Sequence, residues 1–237
     1  MAARGDGKVA RMRIAARFNG PPGSGNGGYS GGLIAAELPG ADGGATVTLR
    51  KPPPLDTELA VAPTARGIAV YAGDLLIAEA EPAAPGAAMA GPVSATEAAA
   101  ASARYAGLAG HPFPTCFGCG TDRAVGDGLR LFPGPVGDGR TAAVWTAPAD
   151  VSAPMVWAAL DCPGGWTIIT DPARPYVLGR LTAAVHAVPA PGEHCVVMGE
   201  PVDIGERKGR VRTALWSAAG DLLARAEAVW IAVPPHG

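Results

Sequence analysis

The pentapeptide Ala72-Gly73-Asp74-Leu75-Leu76 returns as Ala219-Gly220-Asp221-Leu222-Leu223. Each copy closes the same run of elements: a Gly- or Pro-opened helical segment, an apolar strand, a Pro-rich turn and a hairpin. Self-similarity that keeps element order points to an internal duplication, so the chain is expected to fold as two like units. The Pro turns, PPPLDTELAV at 52–61 and VPAPGEHCVV at 188–197, are offset by less than the pentapeptides. An insertion in the second copy would produce that difference, and the stretch VDIGERKGR at 202–210 supplies one.

A length of 237 residues suits two units of about 115–120 residues each. The hydrophobic fraction of 48% supports a core, while 34 Gly and 24 Pro require many tight turns. A net charge of −2 supplies no basic field for nucleic acid or an anionic membrane. No apolar run approaches the ~20 residues that span a bilayer, and the start, MAARGDGKVARMRIAARF, lacks the apolar core of a secretory signal. A cytoplasmic location is therefore expected. Four cysteines, Cys116, Cys119, Cys162 and Cys195, are too few for a disulfide scaffold in a chain this long.

The units are separated by residues 83–110, in which Ser94-Ala95-Thr96-Glu97 has capping-box spacing and opens an Ala-rich run. This predicts a connecting helix of about four turns near 94–106. In the second unit, alternation predicts strands over 181–188 and 223–233. Thr182, Ala184, His186 and Val188 share one face of the first of these. Ala224, Ala226, Ala228, Trp230 and Ala232 share a face of the second, small enough for a helix to approach closely. The pattern asks for a curved antiparallel sheet around a helix, twice.

Four stretches of the second half carry a resemblance: CFGCGTDRAVGDGLRLFPGP (116–135), VWAALDCPGGW (156–166), LTAAVHAVPAPGEH (181–194) and SAAGDLLARAEAVWIAV (217–233). In that order they resemble hot-dog-fold thioesterases of the phenylacetate-degradation type. The first half, through FNGPPGSGNGGYSGGLIAAEL (18–38), resembles the N-terminal repeat of double-hot-dog acyl-CoA thioesterases. The resemblance implies an α+β tandem of two hot-dog units, each a long helix wrapped by a curved antiparallel sheet. The units would be 1–82 and 111–237, joined by the linker 83–110. It also implies an acyl-CoA or acyl-carrier thioester as substrate and no cofactor. A homo-oligomer is compatible with it.

The family's helix start is His-Gly-Gly with a catalytic acid eight residues later. The first copy keeps Asn26-Gly27-Gly28 but has Ile34 in the acid's place; the second keeps Asp161 but begins with Ala153-Pro154-Met155. Eight helical residues span about 12 Å, so one helix cannot bring both ends to one carbonyl. The departures are complementary, and one composite site is expected: Gly27 and Gly28 N–H groups for an oxyanion, Asp161 as base or nucleophile. Asn26, Tyr29, Trp157, Thr182 and His186 are the candidate substrate contacts. The bland reading of Asp161 is a helix-ending residue before Pro163, which should kink or stop the helix. Trp157 and Trp166 at helical spacing equally suit a core.

Cys116-Phe117-Gly118-Cys119 has metal-ligand spacing without a second pair, so packing, and no bound metal, is expected; a zinc site would have to recruit Cys162, Cys195 or a distant His. Gly118 and Gly120 disfavour the helix that a redox pair would want. His111, His194 and His236 occupy loops, strand ends or the tail. Two function classes stand side by side: a thioester hydrolase, and a hot-dog protein that binds an acyl-CoA or lipid-like ligand without turnover. Enoyl-thioester hydration is a third, but it would want His where Asn26 stands.

Overall fold

The alanine face of the last strand determines how the sheet meets its helices. The computed structural model describes residues 10–171 and 174–234. The expected first residues of the N-terminal unit and His236 lie outside these. The strands are β1 (Ala10–Arg13), β2 (Ala45–Leu49), β3 (Glu58–Pro63), β4 (Ile68–Ala72), β5 (Leu75–Pro82), β6 (Gly134–Gly137), β7 (Arg140–Thr146), β8 (Tyr176–Val185), β9 (His194–Ile204), β10 (Lys208–Ser217) and β11 (Leu222–Ala232). The α-helices are α1 (Gly27–Ala36), α2 (Ala95–Ser102) and α3 (Ala153–Gly165). In β11, Ala224, Ala226, Ala228 and Trp230 are buried in one core with Trp157, Ala158 and Leu160 of α3. Methyl-sized side chains let the helix lie close to the strand.

All strands pair antiparallel in one 11-stranded sheet, ordered β1-β3-β4-β5-β2-β8-β11-β10-β9-β7-β6. From the β2–β8 join outward, β2-β5-β4-β3-β1 on one side mirrors β8-β11-β10-β9-β7 on the other. Thr46 and Thr182 face each other across that join, with their hydroxyls 2.7 Å apart. The matched pentapeptides form the β4–β5 and β10–β11 hairpin turns, where Gly73 and Gly220 take positive φ of 58° and 88°. The β9–β10 hairpin is longer than the β3–β4 hairpin: β9 and β10 reach 11 and 10 residues, against 6 and 5 for β3 and β4.

Two local expectations change. The connecting helix stops at Ser102, earlier than 106, although Ser94 caps it by accepting the Glu97 N–H at 3.2 Å. Its Ala98 and Ala101 are buried against Ala142, Val196, Met198 and Trp216, so it covers part of the sheet. Pro163 lies inside α3, which continues through Gly165. Hydroxyls from the sheet serve the carbonyls around the proline: Thr213 donates to Leu160 O and Thr141 to Pro163 O, each at 2.7 Å. No helix among the described residues is long and apolar enough to cross a membrane.

Candidate active site between α1 and α3

Helix α1 begins at an Asn-Gly-Gly sequence and repeats glycine at Gly31 and Gly32. A Cβ at Gly28 would stand 2.5 Å from Trp157 O and 2.7 Å from Asp161 Cβ; one at Gly32 would stand 2.6 Å from Pro154 Cα. Only glycine admits the α3 backbone this closely. Gly28 and Gly32 share a face of α1 and meet one face of α3. The close crossing brings the acid of one helix to the start of the other. Asp161 Oδ2 accepts the Gly28 N–H at 2.9 Å and an Asn26 Nδ2 hydrogen at 3.3 Å.

Asn26 ties these groups together. Its Oδ1 caps α1 by accepting the Tyr29 N–H at 2.8 Å, while Nδ2 also approaches Cys116 Sγ at 3.7 Å. Asp161 is 3% exposed, and its second oxygen, Oδ1, has no hydrogen-bond partner among the described residues. Burial raises the Asp161 carboxyl to about 7, against the opposing pull of the Gly28 N–H and Asn26. Beside it lies a cavity of about 50 Å³, lined on the polar side by Asn26, Gly27, Asp161 and Cys162 and on the apolar side by Phe113, Trp166, Leu178 and Trp230. That volume holds a few waters or a small group. Trp230 Nε1 is a second buried polar atom without a partner among the described residues.

The remaining candidates are elsewhere. Tyr29 is buried, stacked on Phe18 with ring centroids 3.7 Å apart. Trp157 is also buried, over Gly31 and Gly32 of α1, where it holds the helix pair together. Thr182 pairs with Thr46 at the join, and its neighbours there, Arg180 and Glu227, belong to the outer face of the sheet. His186 follows the end of β8 and is exposed. Alternation sorts Thr182 correctly from Leu181 and Ala183, but that face points away from the helices.

The loop at 111–132 supplies what the sequence reading left out. Phe117 N–H bonds to Asn19 O at 2.7 Å, and Arg123 bonds Arg17 O and Thr115 O, seating the loop against the start of α1. The sulfurs of Cys116 and Cys119 thereby meet Cys162 of α3, all within 4.8 Å of one another. The sequence expectation is packing with no bound metal, with Cys162 among the residues a zinc site would have to recruit, and the fold brings that cysteine to the pair. The thiols of Cys119 and Cys162 turn toward Cys116 and hold it well below the usual thiol range; their own values rise in return. Of the recruits the sequence offers, Cys162, 43 residues beyond Cys119, is the one that reaches the pair.

By sequence, no known protein family and no curated protein matches the chain. Solved structures do match. A protein of unknown function with a hot-dog fold from Alicyclobacillus acidocaldarius superposes with TM-score 0.62 at 15% identity, covering 99% of this chain and 97% of that one. A candidate thioesterase II from Thermobifida fusca gives 0.61 at 15% identity, over 94% and 91% of the two chains. A candidate thioesterase from Novosphingobium aromaticivorans gives 0.59 at 19% identity, over 93% and 94%. Likeness along nearly the whole of both chains, joined to a sheet wrapped around paired helices, identifies the fold of this protein as the hot-dog fold.

Proposed function

We propose that the chain is a tandem of two hot-dog units, 1–82 and 111–237, that hydrolyses an acyl thioester at one composite site. The observation that carries this reading is the buried Asp161, bonded to the opposing helix start with one oxygen while the other has no partner among the described residues and lies beside a small cavity. Two of the structural neighbours carry thioesterase in their names, which agrees with it. A water in the cavity would give its proton to Asp161 Oδ1 as its oxygen attacks the thioester carbon. The carbonyl oxygen becomes an oxyanion facing the Gly27 N–H, a donor that a helix start leaves without an intrahelical acceptor. Collapse breaks the C–S bond, and the proton passes to the leaving thiolate. Asn26 is a positioning residue here, since both of its Nδ2 contacts are taken by Asp161 and Cys116. The small cavity favours a short acyl group on coenzyme A or a carrier protein.

A second reading is favoured by one specific observation: the Gly28 N–H is already occupied by Asp161. Acyl thioester binding without turnover would leave that bond intact. Loss of thioester absorbance from a panel of short-chain acyl-CoAs, with wild type and Asp161→Asn, separates the two. Turnover that the substitution abolishes supports hydrolysis; thermal stabilisation by acyl-CoA with no turnover in either protein supports binding.

A further inference from the structure

We propose that Cys116, Cys119 and Cys162 bind a zinc ion, with solvent from the adjoining cavity as the fourth ligand. The proposal does not depend on the thioesterase reading. The three sulfurs come from two separate segments, the 111–132 loop and α3, and lie within 4.8 Å of one another. A tetrahedral zinc with Zn–S of about 2.3 Å holds its sulfurs ~3.8 Å apart, so the cluster needs a contraction of ~1 Å or less.

N–H donors reach two of the three sulfurs. Asn26 Nδ2 approaches Cys116 Sγ at 3.7 Å. His111 Nε2 lies 3.3 Å from Cys119 Sγ, and Trp166 lines the same cavity. His111 Nδ1 accepts the Phe113 N–H at 2.8 Å, which places the ring proton on Nε2. His111 therefore donates to sulfur and is not itself a ligand. Such donors orient a metal-bound sulfur and tune the cation it holds. Apolar packing of neutral thiols requires no such shell.

Glycine holds the arrangement open. A Cβ at Gly118 would stand 2.6 Å from Cys162 Sγ, and one at Gly120 would stand 2.5 Å from Pro114 O. All three cysteines line the cavity, so the fourth position of a bound cation has access to solvent. Three thiolates select soft or borderline cations, and zinc accepts three sulfurs plus a water without further change. Binding releases the protons that the thiols still carry. A disulfide would use two of the sulfurs and leave the third unexplained. Cys195 sits apart on β9, opposite Trp145 and Ser217.

The test is elemental analysis of wild-type protein purified without added metal, then exchange of the cation for Co²⁺ under anaerobic conditions. About one zinc per chain is expected, and Co²⁺ should give thiolate charge-transfer and tetrahedral d–d absorption. Cys195→Ser should keep both signals, and Cys116→Ser and Cys162→Ser should lose them. His111→Ala should keep the site but weaken zinc affinity by about 10–100-fold. The idea is overturned if reduced wild-type protein is metal-free and takes up neither Zn²⁺ nor Co²⁺, if the metal found is copper or iron, or if an intact-mass measurement shows a disulfide within the cluster. Because the decisive measurements use wild type, a variant that fails to fold does not spoil the result.

Discussion

The Asp161 carboxylate and the Gly28 N–H, 133 residues apart in the chain, meet at 2.9 Å in the protein interior. Neither helix could make this contact alone. The acid lies on α3 and the donor on α1, and the crossing requires that Gly28 have no side chain.

Asp161→Asn tests the chemistry with least disturbance, since the amide oxygen can still accept the Gly28 N–H. If the carboxylate is the base, kcat for acyl-CoA hydrolysis should fall by about 10²–10⁴-fold. The melting temperature and KM should change little. Steady-state kinetics beside a thermal melt decide it, and near-full activity would remove Asp161 from the mechanism.

Gly28→Val tests the helix crossing. A side chain there must displace Trp157 O and Asp161, an overpacking that costs about 1–3 kcal/mol. For a chain of this size that corresponds to a melting temperature lower by roughly 2–12 °C. Gly43→Ala, where a Cβ meets nothing within 4 Å, is the control and should leave the melt unchanged.

Thr213→Val and Thr141→Val address the proline inside α3. Each removes a hydroxyl that satisfies a buried carbonyl, Leu160 O or Pro163 O. Each should destabilise the fold by about 1–3 kcal/mol in denaturant titration, and the α3 end that carries Asp161 should exchange amide hydrogens faster.

The join between the two halves of the sheet is open to a double-mutant cycle on Thr46 and Thr182, whose hydroxyls share one hydrogen bond. Valine at either position should cost about 0.5–1.5 kcal/mol. The double variant should cost less than the two singles together, because each single leaves the partner hydroxyl without its bond. Full additivity would mean that the pair does not interact in solution.

Much of this arrangement was legible in the chain. The repeated Ala-Gly-Asp-Leu-Leu forms a hairpin turn at each of its two places, and the alanines of β11 announce the face that a helix covers. Asn26-Gly27-Gly28 and Asp161 stood out because each is half of a pattern. Other features depend on position in space. Period-two alternation separates Thr182 from Leu181 but does not say which side the helices occupy. Pro163 reads as a helix stop until Thr141 and Thr213 are brought beneath it. Cys162 joins Cys116 and Cys119 only because a loop anchored by Arg123 folds back over the start of α1.

The contact of α1 with α3 inside one chain has a consequence for concentration. Where an acid and its donor belong to separate molecules, dilution parts them and the composite site vanishes. Here both belong to one polypeptide, and the encounter is intramolecular, with an effective local concentration that no change of volume can lower. The proposed site, made by α1 and α3 of one chain, should work as well in a very dilute solution as in a crowded one.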